Sequence, residues 1–599
     1  MTPIPAGKAR RRLAGLAAAL LLGGFVTPSF ADPARDFQTV LTDYDRYLAE
    51  ANPIAAGMRG DLQAARRWPD DSPPAVAARV KALRGFSGRL HAIPRAGLAD
   101  ADGLNWDLLT RRVDLDLEGA AFDEERIPFT SDDGFFAAPA YMAESTRLRT
   151  REQADAYVAR IRALPRFYET EVANMRRGLA TGFIQPRITA LAATKATKAQ
   201  AERPAEQHPL LAPLDDLPAS MPAAERAALK AEALRLIRTE VKPAEQAVAR
   251  FFETEYLPKA RDTIGVSAVP NGRAYYAYRA RRETTTDLTP DQIYGLGQAE
   301  IARIRGEMDK VIAETGFKGS FKEFQAYLRT EPRFYATSRE DLLEKASRLA
   351  KRVDDKLPGF FGKLPRLSYG VRSVPADIEE GYTSGRYNPG SPEQGISGGL
   401  MINTSHLDQR PLFELPALVA HEGAPGHHIQ IALAQEQSGA PQFRKQDDVT
   451  AFVEGWALYS EQLVGEMGLY DTPYERFGML SMEMWRACRL VVDVGIHWKG
   501  ESRDQAVACF RENSALAEKN IQNEVDRYIA WPGQALGYKI GQLKISELRR
   551  RAEQALGPRF DVRKFHDVVL DDGPMPMTLL EQRVDAWIAA EMKTGKGTP

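Results

Sequence analysis

The chain has 599 residues, long enough for several domains' worth of core, and 44% of them are hydrophobic. With 80 basic and 81 acidic residues the net charge is −1, which gives neither a nucleic acid nor an anionic membrane an electrostatic hold on it. Past the N-terminus no stretch supplies the ~20 apolar residues of a transmembrane helix.

The first 31 residues read as a signal peptide. Lys8, Arg10, Arg11 and Arg12 precede a short apolar run, Leu13 to Val26, and Ser29-Phe30-Ala31 sets small residues where a signal peptidase reads. The pattern predicts cleavage after Ala31 and an exported, periplasmic protein with no stable membrane association afterwards. No cysteine lies nearby to carry a lipid. The chain's two cysteines are Cys488 and Cys509, and an oxidising compartment permits a bridge between them.

Residues 32–290 read as an N-terminal helical lobe. Phe37 to Leu48, Asp100 to Glu118, Ala154 to Leu179 and Ala223 to Tyr256 carry apolar residues at three- and four-residue steps with charges between. Pro165 is expected to break or kink the third of these. Residues 190–222, rich in Ala, Lys, Pro and Asp, read as a surface excursion. Thr289-Pro290-Asp291-Gln292 is a helix start, with Thr as the cap and Pro in the first turn, and opens a second helical lobe over 291–599. Residues 358–405 change texture to Gly, Pro, Tyr and Ser and predict a small β-region. Gly399, Tyr382, Arg386 and Tyr387 are its candidates for lining a bound substrate.

Leu412 to Gln430, LFELPALVAHEGAPGHHIQ, carries three of the chain's eight histidines. Histidines beside a glutamate on an apolar helix suit a zinc hydrolase: imidazoles hold the metal and the carboxylate, here Glu422, takes a proton from the attacking water. On a straight helix, at ~100° and ~1.5 Å per residue, neither His427 nor His428 can share an ion with His421. Pro425-Gly426 breaks such a helix, so a bulge over Ala424 to Gly426 is expected to return His427 to the metal, with His428 as the alternative. A site with two histidines needs a third protein ligand. Glu454, in the amphipathic segment Phe452 to Glu461, is the candidate, and Glu461 on the same face could orient a histidine.

Downstream, Arg486, Arg489, Asp493 and His497 form one polar stripe on an apolar helix, expected to brace the site. Tyr528, Tyr538, Lys539 and His566 are candidates for substrate contact or for stabilising the oxyanion of a carbonyl under attack.

His-Glu-Gly-x-Pro-Gly-His-His, Glu-Gly-Trp-Ala-Leu-Tyr-x-Glu and Tyr-Ile-x-x-Pro-Gly-Gln-Ala-x-x-Tyr-Lys-Ile-Gly together resemble a bacterial family catalogued as domain of unknown function 885, from about residue 35 to the end. That family resembles the all-helical zinc peptidases: carboxypeptidase Taq, thimet-type oligopeptidases and angiotensin-converting enzyme. The resemblance carries the ligand roles to His421, His427 and, through Phe452-Val453-Glu454, to Glu454. It also points to Tyr538 near substrate. It implies a mainly α fold, two helical lobes around a deep cleft with a small β-sheet near the metal helix, one Zn2+ per chain, and a peptidase acting on short peptides. A metal-dependent amidase on a peptidoglycan-type or other non-peptide amide is one rival; an exported binding protein with a decayed metal site is the other.

Overall fold

The computed structural model describes residues 32–131, 133–375, 379, 383–392, 395–445 and 449–594. The expected leader, 1–31, and Tyr382 lie outside them. Among the described residues the chain is mainly helical, with one three-stranded sheet.

The first helix, α1 (Pro33–Ala51), starts at Asp32, whose side chain accepts the N–H groups of Ala34 and Arg35. Helix α2 (Asp100–Gly119) follows, then α3 (Arg151–Thr181), which opens in a Thr150/Gln153 capping box and ends at Gly182 in the left-handed region. Helix α3 runs through Pro165 without a break, and Leu164 and Phe167 on either side are buried in the core. Residues 190–222 are not a surface excursion either. Most of their first half is the helix Arg187–Glu202, and Leu210, Leu211 and Leu214 are buried against Tyr157 and its neighbours. Their alanines and threonines make a helix face small enough to pack closely, which polar composition alone conceals.

Helix α4 (Pro290–Thr315) begins at the expected cap, Thr289, which forms a capping box with Gln292. Then come α5 (Arg339–Phe360) and the strands β1 (Tyr369–Ser373), β2 (Gly385–Asn388) and β3 (Gly398–Ile402). The sheet order is β1-β3-β2, with β3 parallel to β1 and antiparallel to β2. Beyond it lie α6 (Leu415–Glu422), α7 (His427–Gln435), α8 (Thr450–Glu466), α9 (Pro473–Val494), α10 (Arg503–Asn513), α11 (Glu518–Ala530), α12 (Leu536–Leu556), α13 (Val562–Leu570) and α14 (Met577–Thr594).

Packing fixes where these elements meet. Leu342, Ala346 and Ala350 of α5, Leu400 and Ile402 of β3, and Leu415 and Val419 of α6 form one apolar cluster, so the sheet lies between α5 and α6. Phe37, Val40 and Tyr44 of α1 share a second core with Phe452, Trp456 and Tyr459 of α8, Ile545 and Leu548 of α12, and Leu580 and Val584 of α14. The first and last helices of the described residues therefore close over the helix that carries Glu454. Helices α8 and α12 touch backbone to backbone: a Cβ on Gly455 would lie 2.6 Å from the Gly541 Cα, and one on Gly541 1.7 Å from the Ala451 carbonyl oxygen.

Candidate metal centre

Helix α6 stops at Gly423, and the chain turns back beneath its last turn before α7 begins. The Gly426 N–H donates to Ala420 O at 3.0 Å and the His428 N–H to Gly423 O at 3.1 Å. A Cβ on Gly426 would sit 2.1 Å from His421 O, so this return needs glycine. The Trp456 indole N–H of α8 holds the turn by donating to Pro425 O at 2.9 Å.

The turn brings His427 against His421, with ring centroids 4.9 Å apart and planes at 87°. Both Nε2 atoms face Glu454 Oε2, at 3.4 Å from His421 and 3.5 Å from His427. One ligand atom from each of His421, His427 and Glu454 lies within 4.8 Å of the other two. Glu454 Oε2 is buried and makes no hydrogen bond among the described residues. A buried carboxylate oxygen without a donor is costly, and two imidazole nitrogens converging beside it are the donor set of a zinc site with an open fourth position. The residues fit a divalent ion. Burial would raise the Glu454 carboxyl, but the charges of His427 and His421 outweigh it and hold it well below the usual range. Burial would likewise lower His421, yet the carboxylates of Glu454 and Glu461 beside its two ring nitrogens raise it to about 9.

His428 faces elsewhere. Its Nδ1 meets the Tyr387 hydroxyl at 3.0 Å, its ring packs 4.4 Å from that of Tyr369, and burial lowers it to about 4. Glu422 turns toward the sheet, where its Oε2 accepts the Tyr387 N–H at 2.8 Å. That N–H points away from β3, so the outer edge of β2 faces Glu422.

Around His421, His427 and Glu454, Glu461 Oε1 lies 2.8 Å from His421 Nδ1 and 3.1 Å from the Arg486 guanidinium, the His421, Glu461 and Arg486 side chains all being buried. Gln430 lies 3.0 Å from His427 Nδ1 and donates to Val453 O at 2.7 Å. It stands three residues after His427 on one helical face, a spacing that could have singled it out. The role of Tyr387 rests on its backbone N–H, for which no side-chain pattern exists.

Tyr538 is half-buried, with Arg489 stacked 4.1 Å from its ring centroid. Burial and then the Glu454 charge raise its phenol, which puts Tyr538 in the electrostatic reach of the centre. Several other expected site residues are corrected. The Tyr528 hydroxyl donates to Glu524 at 2.7 Å and accepts from Trp485 at 2.8 Å and Arg489 at 2.7 Å, so it has nothing left for a substrate. His566 is fully buried on another side of α8, between the Tyr459 hydroxyl and Phe360 O, each at 2.8 Å, and burial lowers it to about 3. Lys539 is fully buried, pairing with Glu483 at 2.7 Å and Glu300 at 2.9 Å. Gly399 lies in β3, the middle strand, whose two edges are already taken by β1 and β2. Arg386 is exposed on β2, on the opposite sheet face from the buried Tyr387.

The polar stripe that begins on α9 meets the centre at Arg486, through Glu461, and at Arg489, through the Tyr538 ring. Arg486 holds Glu461, and Arg489 reaches Tyr528, Glu524 and the Tyr538 ring. Asp493 and His497 make their contacts elsewhere. Asp493 accepts the Tyr276 hydroxyl at 2.6 Å and the Gly533 N–H at 3.1 Å. His497 ties Val266 N, at 3.0 Å, to Tyr528 O, at 2.9 Å.

The profile of a bacterial family described as protein of unknown function (DUF885) matches residues 53–584. A crystal structure of a candidate lipoprotein from Colwellia psychrerythraea is 30% identical, covering 93% of this chain and 99% of its own, with a TM-score of 0.86. A second structure, a candidate lipoprotein of unknown function from Shewanella oneidensis, is 17% identical over 91% of this chain and 99% of its own, with a TM-score of 0.69, and shares the fold. No curated protein matches the chain.

Proposed function

Starting from the fact that this chain belongs to the bacterial family DUF885, we propose that it is an exported zinc-dependent hydrolase that cleaves peptide bonds of short peptides. One observation carries the reading: His421, His427 and Glu454 converge on a single buried point, and Glu422, the residue after the first ligand, has its carboxylate oriented by a backbone N–H.

His421, His427 and Glu454 would hold the ion. Zinc there supplies Lewis acidity, for the water that attacks and for the carbonyl that is attacked. The rest is done by side chains of the chain. Glu422 Oε2 is engaged by the Tyr387 N–H, and among the described residues Oε1 accepts no hydrogen bond. Glu422 Oε1 takes the proton of the attacking water and passes it to the leaving amine. The Tyr538 hydroxyl donates to the carbonyl oxygen as charge builds on it; the influence of Glu454 on this phenol supports the pairing. Glu461 and Arg486 keep the His421 ring turned toward Glu454. The preference for short peptides rests on the sequence likeness to helical zinc peptidases. Export rests on the leader pattern and on the lipoprotein description of the Colwellia relative, although this chain has no cysteine before Cys488 to carry a lipid.

Zinc analysis of the purified protein, combined with turnover of a peptide library with and without chelator, tests the proposal. The expected result is one zinc per chain, lost in His421→Ala and Glu454→Ala, and peptide cleavage abolished by chelation. Glu422→Gln should keep the metal and lose ~10²–10⁴-fold in kcat. Zinc without cleavage of any peptide, or cleavage by metal-free protein, overturns it; hydrolysis of non-peptide amides alone moves the reading to an amidase.

A further inference from the structure

The chain's only two cysteines are 21 residues apart and lie against each other. Cys488 is on α9 and Cys509 on α10; their Sγ atoms are 2.7 Å apart, and Cys488 Sγ lies 3.4 Å from Cys509 O. A π-helical turn over Gly495–Lys499 continues α9 to Gly500, whose backbone is left-handed, and a Ser502/Gln505 capping box then starts α10, which packs back onto α9. Two sulfurs brought together this way in a chain with no other cysteine are a matched pair. We infer that Cys488 and Cys509 are joined by a disulfide in the exported protein, a covalent staple between α9 and α10. The inference rests on the export part of the proposed function, because a reducing cytosol would keep the thiols apart.

The order of the chemistry follows from exposure. Cys488 is fully buried and Cys509 half-exposed. Cys509 Sγ, as thiolate, attacks the disulfide of a dithiol–disulfide oxidant of the exported space, forming a mixed disulfide and releasing one oxidant thiolate. Cys488 Sγ, losing its proton, then attacks Cys509 Sγ and releases the second. The two thiols lose two protons and two electrons, and the oxidant's disulfide becomes a dithiol. Burial holds the Cys488 thiol up, consistent with its reacting second.

The staple's position gives it a purpose. Cys488 stands between Arg486, which holds Glu461 behind His421, and Arg489, which holds Glu524 and stacks on Tyr538. The bond fixes α9 against the α10–α11 pair that supplies Glu524 and Tyr528. The two cysteines are positioning residues, acting on the centre through these arginines.

The test uses the full-length protein prepared by export. Its intact mass should be 2 Da below that of the reduced chain, with no thiol titratable after denaturation until a reductant is added. Reduction should lower Tm by a few degrees, and the Cys488→Ser/Cys509→Ser double variant should show no such dependence. Two free thiols in the denatured protein, after exposure to oxidised glutathione, overturn the staple; so does an identical Tm in both redox states. Zinc and turnover are read on the same samples. Free thiols in an active zinc enzyme remove only the staple, whereas a bridged protein without zinc or turnover removes only the hydrolase reading.

Discussion

His421 Nδ1 lies 2.8 Å from Glu461 Oε1, and Arg486 reaches the same oxygen at 3.1 Å. The carboxylate therefore fixes one imidazole nitrogen as the proton carrier and leaves Nε2, facing Glu454, as the nitrogen that would bind the proposed zinc. Glu461→Gln keeps an acceptor for Nδ1–H but leaves the Arg486 charge buried without its partner. Zinc affinity, measured by competition with a chromophoric chelator, should fall ~10–100-fold, the usual effect of such a support. An unchanged affinity would show that the ring is held by other contacts.

Two tyrosines ten residues apart make opposite predictions. Tyr538→Phe removes the donor proposed for the developing oxyanion and should cost ~10²–10³-fold in kcat with little change in KM. Tyr528→Phe removes a hydroxyl shared by Trp485, Arg489 and Glu524. It should leave kcat within a few-fold but cost about 1–3 kcal/mol of stability, because those buried groups lose a partner. Steady-state kinetics and denaturant titration of both variants separate the roles, and a kcat loss confined to Tyr528→Phe reverses them.

The helical periodicity and the helix start at Thr289-Pro290 were legible because each is local, and the convergence of His421, His427 and Glu454 because residue type and spacing mark it. His427 and His428 could not be told apart in the sequence, since the choice depends on how the Gly423–Gly426 turn folds beneath α6. Tyr528, Lys539 and His566 looked functional because polar groups in apolar segments do. Their partners from other helices, Trp485 and Arg489 for Tyr528, Glu483 and Glu300 for Lys539, and Tyr459 for His566, emerge only in three dimensions. Gly399 failed for a similar reason: a strand's rank within its sheet is not written in its own residues.

The motif glycines, by contrast, mark contacts that carry no chemistry. A Cβ on Gly541 would meet the Ala451 carbonyl oxygen at 1.7 Å, against backbone that has no flexible end to move. Gly541→Ala should push α12 off α8 beside Glu454 and cost at least ~1–3 kcal/mol, the range for overpacking. Lower zinc occupancy should accompany the lower denaturation midpoint. A variant as stable and as metal-loaded as the wild type would mean that the two helices can separate without consequence.

Asp493 is fully buried, and burial is the main cause that raises its carboxyl to about 7, against a partial offset from the Tyr276 hydroxyl and the Gly533 N–H. In the unfolded chain the same group titrates near 3.8. Below that value both states hold the proton and the group costs nothing. As the pH rises from about 4 to about 7 the unfolded chain ionises while the folded one keeps its proton, so stability falls, by at most ~1.4 kcal/mol per pH unit for one group. Asp493→Asn removes this titration and leaves an oxygen to accept from Tyr276 or Gly533. Unfolding free energies of the chelated protein at pH 4.5 and 6.5 should therefore decline less steeply in the variant, with Glu414, also raised by burial to about 7, contributing equally to both. Parallel declines would show that Asp493 ionises in the folded chain as it does in the unfolded one, and that its hydrogen bonds outweigh its burial.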